Sequence, residues 1–138
     1  MAIVDASVVV DWVAPGVDPD GPAGRLLDDL ATRGETLYSP SLLGQEVANA
    51  LLTGMRRGRW TGAAADASFV ALTSMPVSIV ESDGLLQRAW DLARRYDEHP
   101  VYDMVYLALA QMLGDTLYTA DRAFVSRVGE SDHIVFVG

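Results

Sequence analysis

Four acids stand in apolar surroundings: Asp5 in IVDASVVV, Glu46 in SLLGQEVANAL, Asp103 in VYDMVYLALA and Asp121 in LYTADRAF. An unpaired carboxylate buried in a core costs several kcal/mol or takes up a proton. Four of them, one per segment, make sense in a fold that gathers them around a positive charge. The chain has no lysine, and all ten of its cations are arginine, so arginine or a metal ion must supply that charge. Hard oxygen ligands of this kind suit Mg²⁺ or Mn²⁺. Carboxylates that hold such an ion against a phosphate carry out metal-assisted phosphodiester hydrolysis.

Each acid also has a plainer reading. Asp5 and Asp121 directly follow short strand-like runs, where an aspartate commonly caps the next helix. Glu46 has polar neighbours, Gln45 and Asn49, and could lie on the solvent face of an amphipathic helix. Asp103 falls in the first turn after Pro100, where the helix dipole favours an anion. Capping explains any one acid but not why all four occur in one small fold. Asp103 is the hardest to dismiss, because Tyr102 and the run from Met104 to Ala110 make its helix apolar nearly all round. Such a helix is buried, and its lone acid needs a partner.

The other polar residues carry less. Ser7 can cap a helix or hydrogen-bond a water at a metal site. His99 and His133 show no ligand spacing and are assigned to no metal. A metal-free ribonuclease mechanism run by paired histidines is therefore disfavoured. Asp97 and Glu98 either rim the site or are solvated. Arg56, Arg57, Arg59 and Trp60 close the Glu46 helix, and cations there complement a helix C-terminus. The same residue types bind single-stranded RNA, arginine on phosphate and an aromatic ring on a base.

The elements that must place these residues alternate along 138 residues of a single domain, 1–138, without repeat or linker. Ala2 to Asp5 reads as a buried strand, and Ser7 to Val13 fits either strand or helix. Ala23 to Thr32 reads as a helix stopped by Gly34, Leu37 to Ser39 as a strand, and Ser41 as the cap of a helix through Arg57. A helix from Thr61 to about Ser74, a strand from Val77 to Glu81 and a helix from Gly84 to Tyr96 follow. Pro100 introduces a helix over Val101 to Leu113, stopped by Gly114. Thr116 to Tyr118, Arg122 to Val128 and Ile134 to Val137 read as strand, helix and strand. This alternation implies an α/β fold with a parallel sheet covered on both faces, whose ligands collect beyond the carboxyl ends of the strands.

Half the residues are hydrophobic, which excludes a disordered chain. No apolar run reaches the ~20 residues of a membrane span, and the N-terminus lacks the pattern of a signal peptide. The chain has no cysteine, so disulfides and thiolate metal sites are excluded and a cytoplasmic setting fits. The net charge of −9 argues against a broad nucleic-acid surface. It leaves room for a short, local contact and favours a basic protein partner.

Taken in order, the VDASV opening, the EVANAL helix, the YDMVYLALA helix and the closing TADRAF resemble PIN-domain ribonucleases, in particular the VapC toxins of bacterial toxin–antitoxin pairs. The resemblance runs the whole chain. It implies a three-layer α/β/α fold around the parallel sheet and a metal site of Asp5, Glu46, Asp103 and Asp121. It further implies supporting roles for Ser7, Asn49 and Thr119. The expected activity is Mg²⁺-dependent endoribonuclease cleavage, with Mn²⁺ able to substitute and Arg56, Arg57 and Arg59 contacting RNA. Transfer-RNA or ribosomal-RNA loops are the family's substrate class, a VapB-type antitoxin its partner, and a homodimer its expected assembly. The antitoxin is expected to lay a basic side chain toward Asp5, Asp103 and Asp121 and to bury apolar surface near Trp12, Leu42 and Leu43. Two rivals remain. A PIN-like module could dock a basic antitoxin tail without turnover. An aspartyl-phosphate α/β protein would also place acids at strand ends, but it normally uses a lysine that this chain lacks.

Overall fold

The β-branched and leucine-rich runs pair into one parallel sheet, and the longer periodic runs form the helices that cover it. A computed structural model describes residues 1–138. Its elements are β1 (Ala2–Val4), α1 (Ala6–Val13), α2 (Pro22–Thr32), β2 (Leu37–Ser39), α3 (Leu43–Arg56), α4 (Gly62–Thr73) and β3 (Val77–Ile79). The chain continues through α5 (Leu85–Arg95), α6 (Val101–Leu113), β4 (Thr116–Thr119), α7 (Arg122–Val128) and β5 (Ile134–Phe136). The five strands lie in the order β3-β2-β1-β4-β5, every pair parallel. Helix α1 contacts α2, α3 and α4, α3 contacts α4, and α5 packs on α6, which lies against β1 and β4. The result is the expected three-layer α/β/α architecture.

The strand order places the topological switch point between β1 and β4. The chain leaves β1 for β2 and β3 on one side, then returns to β4 and β5 on the other. Val4 pairs with Tyr118, so β4 runs one residue beyond the end of β1. The amide of Asp5 extends the ladder by donating to the carbonyl of Tyr118 at 3.3 Å. Crevices at such a point bind ligands because the crossovers on the two sides diverge there.

Three local expectations change. The ambiguous Ser7 to Val13 run is helix α1, started by the Asp5 side chain, which accepts from the amide of Val8. Ser41 caps nothing: it is exposed in a turn, and α3 starts at Leu43. The amide of Leu43 instead donates to the carbonyl of Pro40, so a backbone turn satisfies the helix entry. Trp60 does not stand free for base stacking. Its indole N–H donates to the carbonyl of Leu51 at 2.9 Å, and its ring lies across Gly54. A Cβ on Gly54 would come within 2.0 Å of that ring, so only glycine permits this closure of the α3 end.

The core holds the apolar face of α6. Met104 through Ala110 are all buried, as their continuous apolar pattern requires. Gly114 stops the helix at φ 67°, a left-handed conformation that costs glycine little.

Candidate active site

Asp5 follows β1 and Asp121 follows β4 by two residues, so the switch point brings them to the same end of the sheet. Both acids cap helices. Asp5 Oδ1 accepts from the amide of Val8 at 3.2 Å, and Asp121 Oδ1 accepts from the amide of Phe124 at 3.0 Å. Glu46 comes in on α3, where Tyr106 of α6 donates its hydroxyl to Oε1 at 2.7 Å. Asp103 sits in the first turn of α6 with its Oδ2 2.6 Å from His99 Nε2. All four acids line one cleft of about 440 Å³. The gathering read from the sequence is present.

Two hydroxyls knit the strand ends beneath them. Ser7 Oγ donates to Asp5 Oδ1 at 2.5 Å and accepts from the amide of Ala120 at 2.8 Å. Thr119, fully buried, accepts from the amide of Asp121 at 3.1 Å. One level down, the Ser39 hydroxyl donates to the carbonyl of Val4 and ties β2 to β1. These bonds hold the acid-bearing turns in register.

The electrostatics of the cleft oppose full ionisation. Burial pushes Asp5 up to about 6, against the favourable bonds from Ser7, Thr119 and the Val8 amide, and the charge of Asp103 adds to the rise. Burial raises Glu46, the Tyr106 bond lowers it, and Asp103 raises it again. Asp103 is raised by burial and by Asp121, and lowered by its bond to His99. The Tyr106 hydroxyl is pushed well above its ordinary range by burial and by Glu46, so it stays protonated and donates. Like charges gathered in a partly dry cleft gain from a cation between them.

The donor set fits a hard divalent ion. Glu46, Asp103 and Asp121 each commit one carboxylate oxygen to a protein donor and leave the other without one. Free oxygens of Glu46, Asp103 and Asp121 and the carboxyl of Asp5 meet on one cleft, which is the chemistry Mg²⁺ and Mn²⁺ require. No three acidic or histidine side chains form a ready-made cage as they stand.

Of the three arginines expected to contact RNA, Arg59 alone reaches the cleft, where it is the only cation, its guanidinium 5.1 Å from the Trp60 ring centroid. Arg56 bonds Thr53 at 3.1 Å, and both it and Arg57 are exposed outside the cleft. Asn49 is exposed and does not line the cleft. Of the three residues expected to border apolar surface, Trp12, Leu42 and Leu43, only Leu43 lines an apolar cavity. Leu43 is buried, and half-buried Trp12 and Leu42 pack on the core. That cavity, about 550 Å³ and separate from the acidic cleft, is also lined by Leu72, Met75 and the exposed Phe69 and Ile79.

Three contributors were missed. Asp11 lines the cleft with its carboxyl raised by burial, and its apolar neighbours gave the same signal as those of Asp5. Tyr106 lies three residues past Asp103, on one helix face, but reads as core from its surroundings. His99 stands four residues before Asp103, a spacing that brings side chains together on a helical turn.

The PIN domain family model matches residues 2–130. No curated protein matches the chain. Among solved structures, the chain is similar to VapC20 of Mycobacterium tuberculosis, a sarcin–ricin-loop-cleaving toxin. The two share 24% identity at a TM-score of 0.68, over 96% of this chain and 98% of that one. PAE2754 from Pyrobaculum aerophilum is similar at 24% identity and a TM-score of 0.71, over 99% and 88% of the two chains. A toxin–antitoxin complex from Klebsiella pneumoniae contains a chain at 17% identity and a TM-score of 0.63, over 100% and 98%.

Proposed function

The chain belongs to the PIN domain family, and on that premise we propose that it is a metal-dependent endoribonuclease of the VapC toxin type. One observation carries the reading: four carboxylates from four separate segments converge on one cleft at the switch point of the sheet. Asp5, Glu46, Asp103 and Asp121 would hold one or two Mg²⁺ or Mn²⁺ ions. Bound there, such an ion would supply Lewis acidity toward the scissile phosphate and would lower the pKa of an attacking water.

The chain's own side chains do the rest. Ser7 and the Val8 amide fix one oxygen of Asp5, and the Phe124 amide fixes one of Asp121, so the free oxygens point from rigid turns. The Tyr106 hydroxyl orients Glu46 from a fully buried position. Arg59, at the cleft wall, meets the phosphate backbone of a strand entering an otherwise anionic site. In-line attack by water leaves 5′-phosphate and 3′-hydroxyl ends.

A single-stranded or looped RNA suits a cleft open at the end of the sheet. VapC20, a structural relative, acts on the sarcin–ricin loop. The likeness to a chain of a toxin–antitoxin complex, together with the charge of −9, supports a basic antitoxin segment as partner. An arginine of that segment would bridge two carboxylates of the cleft and displace ion and RNA together. The deciding experiment is cleavage of a mixed RNA pool with and without Mg²⁺, wild type against Asp121→Asn. Metal-dependent products bearing 5′-phosphates, lost in the variant, are expected. Cleavage that survives EDTA, or an undiminished variant, overturns the reading.

A further inference from the structure

The turn between α5 and α6 is built at a conformational cost. Asp97 and Glu98 are the only non-glycine residues with positive φ, at 57° and 52°. Two consecutive left-handed L residues persist only where surrounding structure holds them, and such outliers cluster at functional sites. What the turn achieves is the placement of His99. Its amide donates to the carbonyl of Tyr96 at 3.2 Å, and its side chain turns inward to 9% exposure.

There the imidazole touches both acid-bearing arms of the cleft. Nε2 lies 2.6 Å from Asp103 Oδ2. The ring packs on Phe124 with centroids 5.5 Å apart, and the Phe124 amide is the donor that fixes Asp121. His99 Nδ1 is buried without any partner. A buried N–H with no acceptor costs more than a bare lone pair, so the proton belongs on Nε2, which donates to the carboxylate.

From this geometry we propose that His99 is a positioning residue, holding Asp103 Oδ2 so that Oδ1 is presented to a cation and bracing the turn that carries Asp121. The inference rests on the metal-dependent reading of the site. It assigns His99 no contact with ion or substrate. Outer hydrogen bonds of this kind typically change metal affinity by about 10- to 100-fold when removed.

The test pairs two substitutions of similar length. His99→Gln keeps an N–H that can reach Asp103, and His99→Met fills the same space with no donor. Both lose the ring on Phe124, so a difference between them reports the hydrogen bond. Mn²⁺ binding, followed by electron paramagnetic resonance at fixed pH, should weaken about 10-fold or more in the Met variant. The Gln variant should stay within roughly threefold of wild type. Thermal unfolding without metal should fall alike in both. Equal Mn²⁺ affinity in the two variants overturns the proposal. Wild-type protein that binds no Mn²⁺ overturns the metal reading and this inference with it. Nitrogen-15 spectra of the wild-type imidazole provide a check without mutation. A proton on Nε2 and a bare Nδ1, retained when Mg²⁺ is added, are expected, and the opposite tautomer overturns the proposal.

Discussion

Without metal, Asp5 should be a stability liability, and the size of that liability follows from its surroundings. Its carboxyl is 5% exposed and pushed from an ordinary 3.8 up to about 6, chiefly by burial. The folded state therefore prefers the protonated acid. The stability this preference brings is fully present below about pH 4. It is lost as pH rises from there through about 6, because ionisation then costs the folded state more than the unfolded one. A gap of about two pH units at ~1.4 kcal/mol each gives a loss of about 3 kcal/mol at neutral pH. Asp5→Asn removes the charge while its amide oxygen can still accept from Ser7 and Val8, so most of that loss should be recovered. The new NH₂ group needs its own acceptor, which reduces the net gain to about 1–3 kcal/mol. For a domain of this size that corresponds to a melting temperature higher by roughly 3–10 °C. The assay is thermal unfolding in EDTA, wild type against Asp5→Asn, at several values from pH 4 to pH 7.5. The difference should be zero or slightly negative at pH 4, rise through pH 6 and then level off. With saturating Mn²⁺ it should shrink or reverse, since ligand binding stabilises only the protein that binds. An Asn variant that melts below wild type at pH 7.5 in EDTA, or a gain as large at pH 4, would refute the reasoning.

Three further outcomes are expected. Gly54→Ala should destabilise by about 1–3 kcal/mol, because its Cβ would sit 2.0 Å from the Trp60 ring. An unchanged urea midpoint would contradict this. Arg59→Ala should lower the salt dependence of RNA binding by about one phosphate contact, and Arg57→Ala by less, since only Arg59 lines the cleft. Equal slopes for the two would remove Arg59 from the interface. Tyr106→Phe deletes the bond that holds the Glu46 carboxyl down. Glu46 should then titrate higher, and the acid limb of the RNA-cleavage profile should move to higher pH. An unmoved limb would mean that Glu46 is not among the groups that must ionise.

The four principal acids were legible because burial of a carboxylate is rare enough to be read against its apolar neighbours. The parallel sheet was legible for a related reason: alternating apolar runs of two periods leave few other architectures. What the sequence concealed is direction. Tyr106 has the surroundings of a core residue and is one, at 1% exposure, and only the path of α6 past α3 aims its hydroxyl at Glu46. His99 shows no ligand spacing in the sequence and lies outside the helix that Pro100 introduces. Two left-handed residues then carry it back under Asp103, and no local propensity predicts that backbone. Ser41 failed as a cap because the Pro40 carbonyl satisfies the helix entry by itself. Arg56 and Arg57 read as equals of Arg59, yet the turn at Gly58 separates them from the cleft.

Capping and ligation look like competing explanations for Asp5 and Asp121, and the geometry removes the competition. A cap consumes one lone pair of one carboxylate oxygen. At Asp121 the second oxygen has no protein donor. The helix amide therefore acts as the lock that sets the side-chain rotamer, and its partial positive charge favours the anion at the helix terminus. The acid that starts α7 is held for the cleft by the same bond that starts the helix. Asp121→Ala confounds the two roles, because losing a cap alone costs ~1 kcal/mol of stability. Asp121→Asn keeps an oxygen for the Phe124 amide and removes only the charge, which makes it the substitution that isolates chemistry from folding. The same logic holds at Asp5, where Ser7 and Val8 share the capping oxygen. A fold that places helix N-termini beyond the ends of two adjacent parallel strands thus prepares two fixed carboxylates at its switch point, and α3 and α6 need contribute only one acid each.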